Sequence, residues 1–350
     1  MADSCVVAGT DVSAKRVLAA TDKFKGTATS AEVGGAVVVA AGRLGWAASF
    51  IALSDGGDGL LEVFGGPNRH TQVTGPLADS VRAGWRLDGE HAVLESALAS
   101  GLVLAGGAQR NNPLTATSRG TGELIDAAAT AGAAHILVGL GGVACTDGGA
   151  GAVDAIAPST LAALEDGSLE LTVCCDVLTR YADAAIVFGP QKGATPTQVR
   201  RLTERLRRER ERLEQRFGVD VGAIPGGGAA GGLAGGLAAI GGRLRPGFDV
   251  VAERVGLAAL IRSADLVITG EGRLDASSFD GKVVGGVAAL ARSAGVPVTA
   301  IVGDVEDATE PPFPVVSLVE RYGRTPALDD PLGSVQRATV ELLAAAASTD

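Results

Sequence analysis

Residues 135–151 read HILVGLGGVACTDGGAG. The stretch opens as a buried-strand run, Ile136-Leu137-Val138, and then breaks into Gly139, Gly141 and Gly142. Thr146 and Asp147 follow, and Gly148, Gly149 and Gly151 close it. A strand that ends in glycines offers backbone N–H groups without Cβ cover, so an anion can approach the main chain closely. An acidic side chain a few residues on can hold a divalent metal against that anion. A plain strand-to-helix turn of an α/β protein fits the same letters, because glycine-rich turns are common in such folds. On either reading the stretch is α/β in character.

The rest of the composition agrees. At 350 residues the natural division is into two domains. With 46% hydrophobic residues, 51 glycines and only 3% aromatics, the core has to be built from Ala, Val, Leu and Ile between many short turns. A net charge of −10 argues against broad binding to nucleic acid or to an anionic membrane, so an anionic substrate needs locally placed Lys or Arg. Cys5, Cys145, Cys174 and Cys175 show no metal-ligand spacing, which predicts reduced thiols and a cytoplasmic protein. Asp3 and Asp11 interrupt the N-terminus, which does not read as a signal peptide. Residues 221–242 carry no charge, but they are rich in glycine and broken by Pro225; they read as a loop leading into a packed helix, not a membrane span.

A βαβ rhythm runs along the chain. Strands are expected at 16–20, 47–53, 171–175, 264–269, 297–302 and 315–318, and hairpin material around 80–87 with a turn at Asp88-Gly89. Helices are expected at 33–44, 123–131, 198–217, 283–294 and 326–347. Acidic and basic groups gather after the strands, where α/β enzymes place their sites. They include Asp22 and Lys25, Asp55 and Asp58 in SDGGDG (54–59), Asp176, and Gly270, Glu271 and Asp275 in GEGRLD (270–275). Ser118 and Arg119 precede a helix and make a second anion site, although N-capping by Thr121 explains the same pattern. Lys192 reads as an exposed cation for phosphate oxygens, and Lys282 opens a helix where it can reach a phosphate. Residues 225–231 match G-x-G-x-x-G without the required strand before them, and no P-loop occurs.

These blocks, in this order, resemble the bacterial glycerate kinase family that is unrelated to P-loop kinases. The pieces that carry the resemblance are ATDKFKGTATSAEV (20–33), SDGGDG (54–59), VTGPLAD (73–79), NPLTATSRGTGELI (112–125), GLGGVACTDGGAGAV (139–153), FGPQKGAT (188–195), PGGGAAGGLAGGL (225–237) and VITGEGRLDASSFDGKVVGGVA (267–288). The resemblance implies two α/β domains, one flavodoxin-like and one restriction-enzyme-like, with an interdomain cleft. It implies a discontinuous domain of residues 1–66 with about 285–350, and an inserted domain of 67–284 that closes somewhere in 245–290. It further implies ATP- and Mg2+-dependent phosphorylation of D-glycerate to phosphoglycerate, typically 2-phosphoglycerate, by a monomer or homodimer. On that reading Asp147, Asp176 and Lys192 are catalytic, and Asp176 and Asp275 hold metal. Asp22, Lys25, Asp55, Asp58, Ser118 and Arg119 meet the substrate, while Gly141, Gly142, Gly148, Gly149, Gly270, Glu271 and Lys282 meet the phosphates. The chain departs from the family pattern at Thr21 and Lys23, at Val143 and Cys145-Thr146, and in the shortened segment after Asp176. Since loops carry specificity, a kinase for a related hydroxy acid and a non-catalytic metabolite-binding paralogue stand as the alternatives.

Overall fold

The computed structural model describes residues 14–279, 281–307 and 309–347. Cys5, Asp3 and Asp11 therefore lie outside the described residues. The chain divides into two α/β units, one made of Met1–Asp55 with Phe248–Asp350 and an inserted one of Gly56–Gly247. The division falls at 55/56 and 247/248, where the sequence reading drew 66/67 and a return at 245–290. The reason lies in residues 56–66, whose short helix Leu60–Val63 is tied to the inserted unit: the Leu61 amide donates to the Glu95 carboxylate at 2.6 Å.

Strands β1 (Arg16–Thr21) and β2 (Ala47–Ala52) begin the first unit. The inserted unit contributes β3 (Arg69–Thr74), β4 (Ser80–Asp88), β5 (His91–Glu95), β6 (His135–Gly139), β7 (Glu170–Cys174) and β8 (Arg243–Arg245). The chain then returns to the first unit with β9 (Leu266–Gly270), β10 (Arg273–Leu274), β11 (Val298–Val302), β12 (Asp304–Val305) and β13 (Val315–Ser317).

In the first unit the five-stranded sheet runs β13-β11-β9-β1-β2, and every pairing in it is parallel. Strands buried on both faces read as continuous apolar runs, which is why RVLAAT and LVITG look as they do. The helix Ser30–Gly42 follows β1 and starts, three residues before the expected 33, with a capping box formed by Thr29 and Glu32. It packs closely on the sheet because Gly34 has no side chain; a Cβ there would fall 2.8 Å from the Phe50 Cβ. Parallel pairing of β1 with β9 sets Thr21 beside Gly270, so the residues that follow, Asp22 and Glu271, leave the sheet at the same edge.

The inserted unit has a six-stranded sheet, β3-β4-β5-β6-β7-β8. Its first two pairings are antiparallel and the remaining three parallel. β6 is central, and its Ile136, Leu137 and Val138 are buried in the core of that unit. Residues 184–188 fold as a helix, and the uncharged 221–242 segment becomes short turns followed by the buried helix Leu233–Ala239. No described helix is long and apolar enough to cross a membrane. The charged helix Pro196–Phe217 buries Leu202, Leu206 and Leu213 along one face, as its spacing predicts, and also Glu209.

Candidate active site

In the inserted unit β6 ends at Gly139 and the chain loops through residues 140–149 into the helix Ala150–Ala155. Gly139 must be glycine for packing, because a Cβ would sit 2.8 Å from the Gly56 carbonyl oxygen. Gly141 and Gly142 lie against Asp58: added Cβ atoms would stand 3.3 Å and 3.2 Å from its Oδ1. Gly148 and Gly149 take positive φ values of 73° and 81°, the left-handed conformation that lets the loop turn into the helix.

Asp147 holds this loop together from inside. It is 1% exposed. Its Oδ2 accepts from the Ser118 amide at 2.8 Å, the Ser118 hydroxyl at 2.9 Å, the Gly151 amide at 3.3 Å and the Thr117 hydroxyl at 3.5 Å. Its Oδ1 accepts from the Gly149 amide at 3.1 Å. Each carboxylate oxygen offers about two acceptor positions, so Oδ2 is fully taken and Oδ1 is tied to the loop by one bond. The carboxylate expected to face metal or hydroxyl is instead spent on its own loop. Ser118, expected to meet substrate, is likewise fully buried, and its hydroxyl also accepts from the Ala152 amide at 3.0 Å.

Lys192 requires the plainest correction. Read from the sequence as an exposed cation, it is 3% exposed, and its Nζ donates to the Cys145 carbonyl oxygen at 2.5 Å. Burial lowers its pKa, partly opposed by Cys145 and Asp147. The turn Pro190–Lys192 ends at Gly193, which has a φ of 89° and abuts the Ala108 carbonyl with no room for a Cβ.

Arg119 is half-exposed and paired with Glu123 at 2.8 Å, an i,i+4 contact along the helix Arg119–Thr130. Asp176 stands two residues beyond the end of β7, with its Oδ1 accepting from the Gly247 amide at 2.8 Å. Three residues that hold the loop carry no signal in the sequence: Asn111, whose Nδ2 donates to the Ala144 carbonyl at 3.1 Å, Thr117 and Tyr181. Asn111 and Tyr181 fall in stretches that read as ordinary loops, and Thr117 could have been found only as one more hydroxyl ahead of the Arg119–Thr130 helix.

The first unit gathers a second set of groups. The Asp22 amide donates to the Gly270 carbonyl oxygen at 2.8 Å, fixing Asp22 beside Glu271. Burial, and after it the Asp55 charge, push the Asp22 carboxyl up to about 6, although the Lys23 amide and the Lys23 and Lys282 charges oppose this. Burial likewise raises Glu271 to about 7, with Asp22 and Asp275 adding repulsion, and with a Ser278 hydrogen bond and Lys282 opposing. The Glu271 Oε1 is buried and has no hydrogen-bond partner.

Asp275 moves the other way, lowered chiefly by its hydrogen bond from the Ser277 hydroxyl and further by Lys282. The Lys282 Nζ donates to that same hydroxyl at 2.7 Å. Gly270 and Gly272 allow close backbone passage; a Cβ on Gly272 would lie 3.0 Å from the Lys25 amide nitrogen, while the Lys25 side chain is exposed.

Among the described residues no three His, Cys, Asp or Glu side chains are arranged to hold a metal ion by themselves. Mg2+ bound with a nucleotide does not need such a cage, since it takes one or two carboxylates and the phosphate oxygens. The orphaned Glu271 Oε1 and the Asp22 carboxyl that repels it are two such oxygens, a pair that an ion bound with phosphate fits.

The sequence matches the model of the glycerate kinase family over residues 17–165 and 159–314. An uncharacterized protein of Mycobacterium bovis is 42% identical over 303 residues, covering 83% of this chain and 80% of that protein. Glycerate 2-kinase of Escherichia coli is 36% identical over 328 residues, covering 83% and 86%. A crystal structure assigned to glycerate kinase 2 of Salmonella typhimurium LT2 superposes with a TM-score of 0.82 at 34% identity, covering 96% of this chain and 99% of that one.

Proposed function

Since this chain belongs to the glycerate kinase family, we propose that it transfers the terminal phosphoryl group of ATP to D-glycerate with Mg2+, giving 2-phosphoglycerate. Phosphoryl transfer asks a protein for positioning and for charge neutralisation, with little covalent chemistry of its own. The observation that carries the reading is the glycine-lined loop after β6, laced from within by Asp147. A loop braced in this way can meet a phosphate oxygen at its exposed Gly142 end without reorganising during the reaction.

Within the inserted unit the exposed Gly142 is the cradle's remaining donor, since the Gly141, Gly148 and Gly149 amides, also expected at the phosphates, donate instead to the Ser96 hydroxyl, the Gly231 carbonyl and the Asp147 carboxylate; Asp147 with Ser118 keeps the loop's shape. Asp176 orients the acceptor hydroxyl, and Arg119 meets the substrate carboxylate. Within the first unit, Lys282 is placed by Ser277 to meet phosphate, and the exposed Lys25 meets the substrate. Asp22 and Glu271 would hold Mg2+ together with the phosphate oxygens, where the sequence had pointed to Asp176 and Asp275. When bound, the ion would neutralise charge on the phosphate oxygens.

The experiment is an ADP-release assay with D-glycerate, ATP and Mg2+, run on wild type and Asp176→Asn. Loss of turnover in the variant with an unchanged melting curve supports Asp176 at the reacting hydroxyl; retained turnover removes it from the mechanism.

A further inference from the structure

Asp275, Ser277 and Lys282 form a row of hydrogen bonds around the turn Ala276–Phe279. The Ser277 amide and hydroxyl both donate to the Asp275 Oδ1, at 2.8 Å and 2.5 Å. That same hydroxyl accepts from the Lys282 Nζ at 2.7 Å. The far end is anchored in the interior by Ser278, which is fully buried. The Asp275 amide donates to the Ser278 Oγ at 3.0 Å, and the Ser278 amide returns to the Asp275 carbonyl oxygen at 3.0 Å.

Chemistry fixes the direction of the row. An ammonium can only donate, an ionised carboxylate can only accept, and a hydroxyl has one proton to give. Ser277 gives that proton to Asp275 and takes one from Lys282. Among the described residues no carboxylate pairs directly with Lys282, which reaches one only through this hydroxyl. A direct ion pair would neutralise the ammonium. The hydroxyl between them fixes its place and leaves its charge, with two of its three protons, for an anion.

Helix stability does not account for a lysine at this position. Lys282 is the N-cap of the helix Val283–Ala294, its side chain caps no amide, and a cation at a helix N-terminus opposes the dipole. A bound anion would meet both the ammonium and the dipole.

We propose that Asp275 is a positioning residue for the phosphate contact: through the Ser277 hydroxyl it aims the Lys282 ammonium at phosphate, and it is not a metal ligand. The inference rests on the reading of Lys282 given above, and deepens it by assigning the acid that stands behind it.

The test measures ATP affinity by calorimetry, with Mg2+ and again in excess chelator, on wild type, Asp275→Ala and Asp275→Asn as full chains. A lysine that has lost its aim weakens ATP binding in Asp275→Ala by about 10-fold under both conditions, the scale of one hydrogen bond to a charged group. Asp275→Asn keeps an oxygen for the Ser277 donors and stays within about twofold of wild type. A loss confined to Mg2+ marks a metal ligand and overturns the proposal, as does unchanged affinity in Asp275→Ala. Wild type that binds ATP only with Mg2+ overturns it too, because Lys282 then holds no phosphate by itself. Should Asp275→Ala lose its cooperative melt, Ser277→Ala, at the exposed next link, decides. The same loss under both conditions supports the relay, and unchanged affinity ends it. Wild type that binds ATP yet releases no ADP with D-glycerate counts against the proposed function alone, since the relay is read from binding.

Discussion

The Tyr181 hydroxyl donates to the Gly148 carbonyl oxygen at 2.8 Å, with the tyrosine completely buried. Burial, and after it Glu209 and Asp147, push the phenol well above its usual pKa, so it remains a donor across the working pH range. Tyr181→Phe leaves that carbonyl buried without a partner. The expected loss is about 1–3 kcal/mol of unfolding free energy, read from urea midpoints. An unchanged midpoint would mean the bond contributes nothing.

Gly148 faces the same hydroxyl, and a Cβ built there would collide with it at a φ of 73°. Gly148→Ala therefore combines backbone strain with a clash and should cost more than the about 1 kcal/mol of a simple glycine substitution. The double variant Gly148→Ala/Tyr181→Phe should recover part of that loss, since removing the hydroxyl makes room. Strictly additive melting shifts would contradict the contact.

Asp147 and Asp176 should separate cleanly. Asp147→Asn turns an amide group toward donors that already hold both oxygens, and should destabilise the protein by about 2–4 kcal/mol. Asp176 is half-buried and has backbone support at one oxygen, so Asp176→Asn should keep its melting temperature and lose about 100-fold or more in kcat. Thermal melts beside the activity assay distinguish the two. The reverse pattern would exchange their roles.

Stability without metal should depend on pH through Glu271 and Asp22. Both carboxyls are raised in the folded state, to about 7 and about 6, so folding favours their protonated forms. Their contribution is fully present below the ordinary carboxylate range and is lost as pH rises through 6 and then 7. The loss is on the order of 1–2 kcal/mol once screening by water is allowed for. Glu271→Gln should flatten this dependence, and added Mg2+ should raise the melting temperature more at pH 8 than at pH 5. Equal shifts at both values would remove these carboxylates from metal binding.

Much of this was legible in the sequence because local rules set it. Apolar runs gave the strands at 16–20 and 264–269, and Asp22 and Glu271 were read as acids at strand ends, which the parallel pairing of β1 with β9 sets at one edge. Lys192 misled for a physical reason. A lysine between Gln191 and Gly193 looks solvated, and only the Cys145 carbonyl, brought to it by the fold from 47 residues away in the chain, shows that it points inward. Asp147 misled differently: its spacing from the glycines suits a metal ligand and an internal brace equally, and the donors that decide the matter arrive from residues 117–118, far away in the chain.

The central claim is that this chain phosphorylates glycerate, with a rigid glycine loop serving the phosphate. Its most direct test is product analysis by NMR after incubation with D-glycerate, ATP and Mg2+. The account predicts 2-phosphoglycerate and ADP in equal amounts. Glycerate recovered unchanged beside intact ATP, from protein with a cooperative melt, would contradict it.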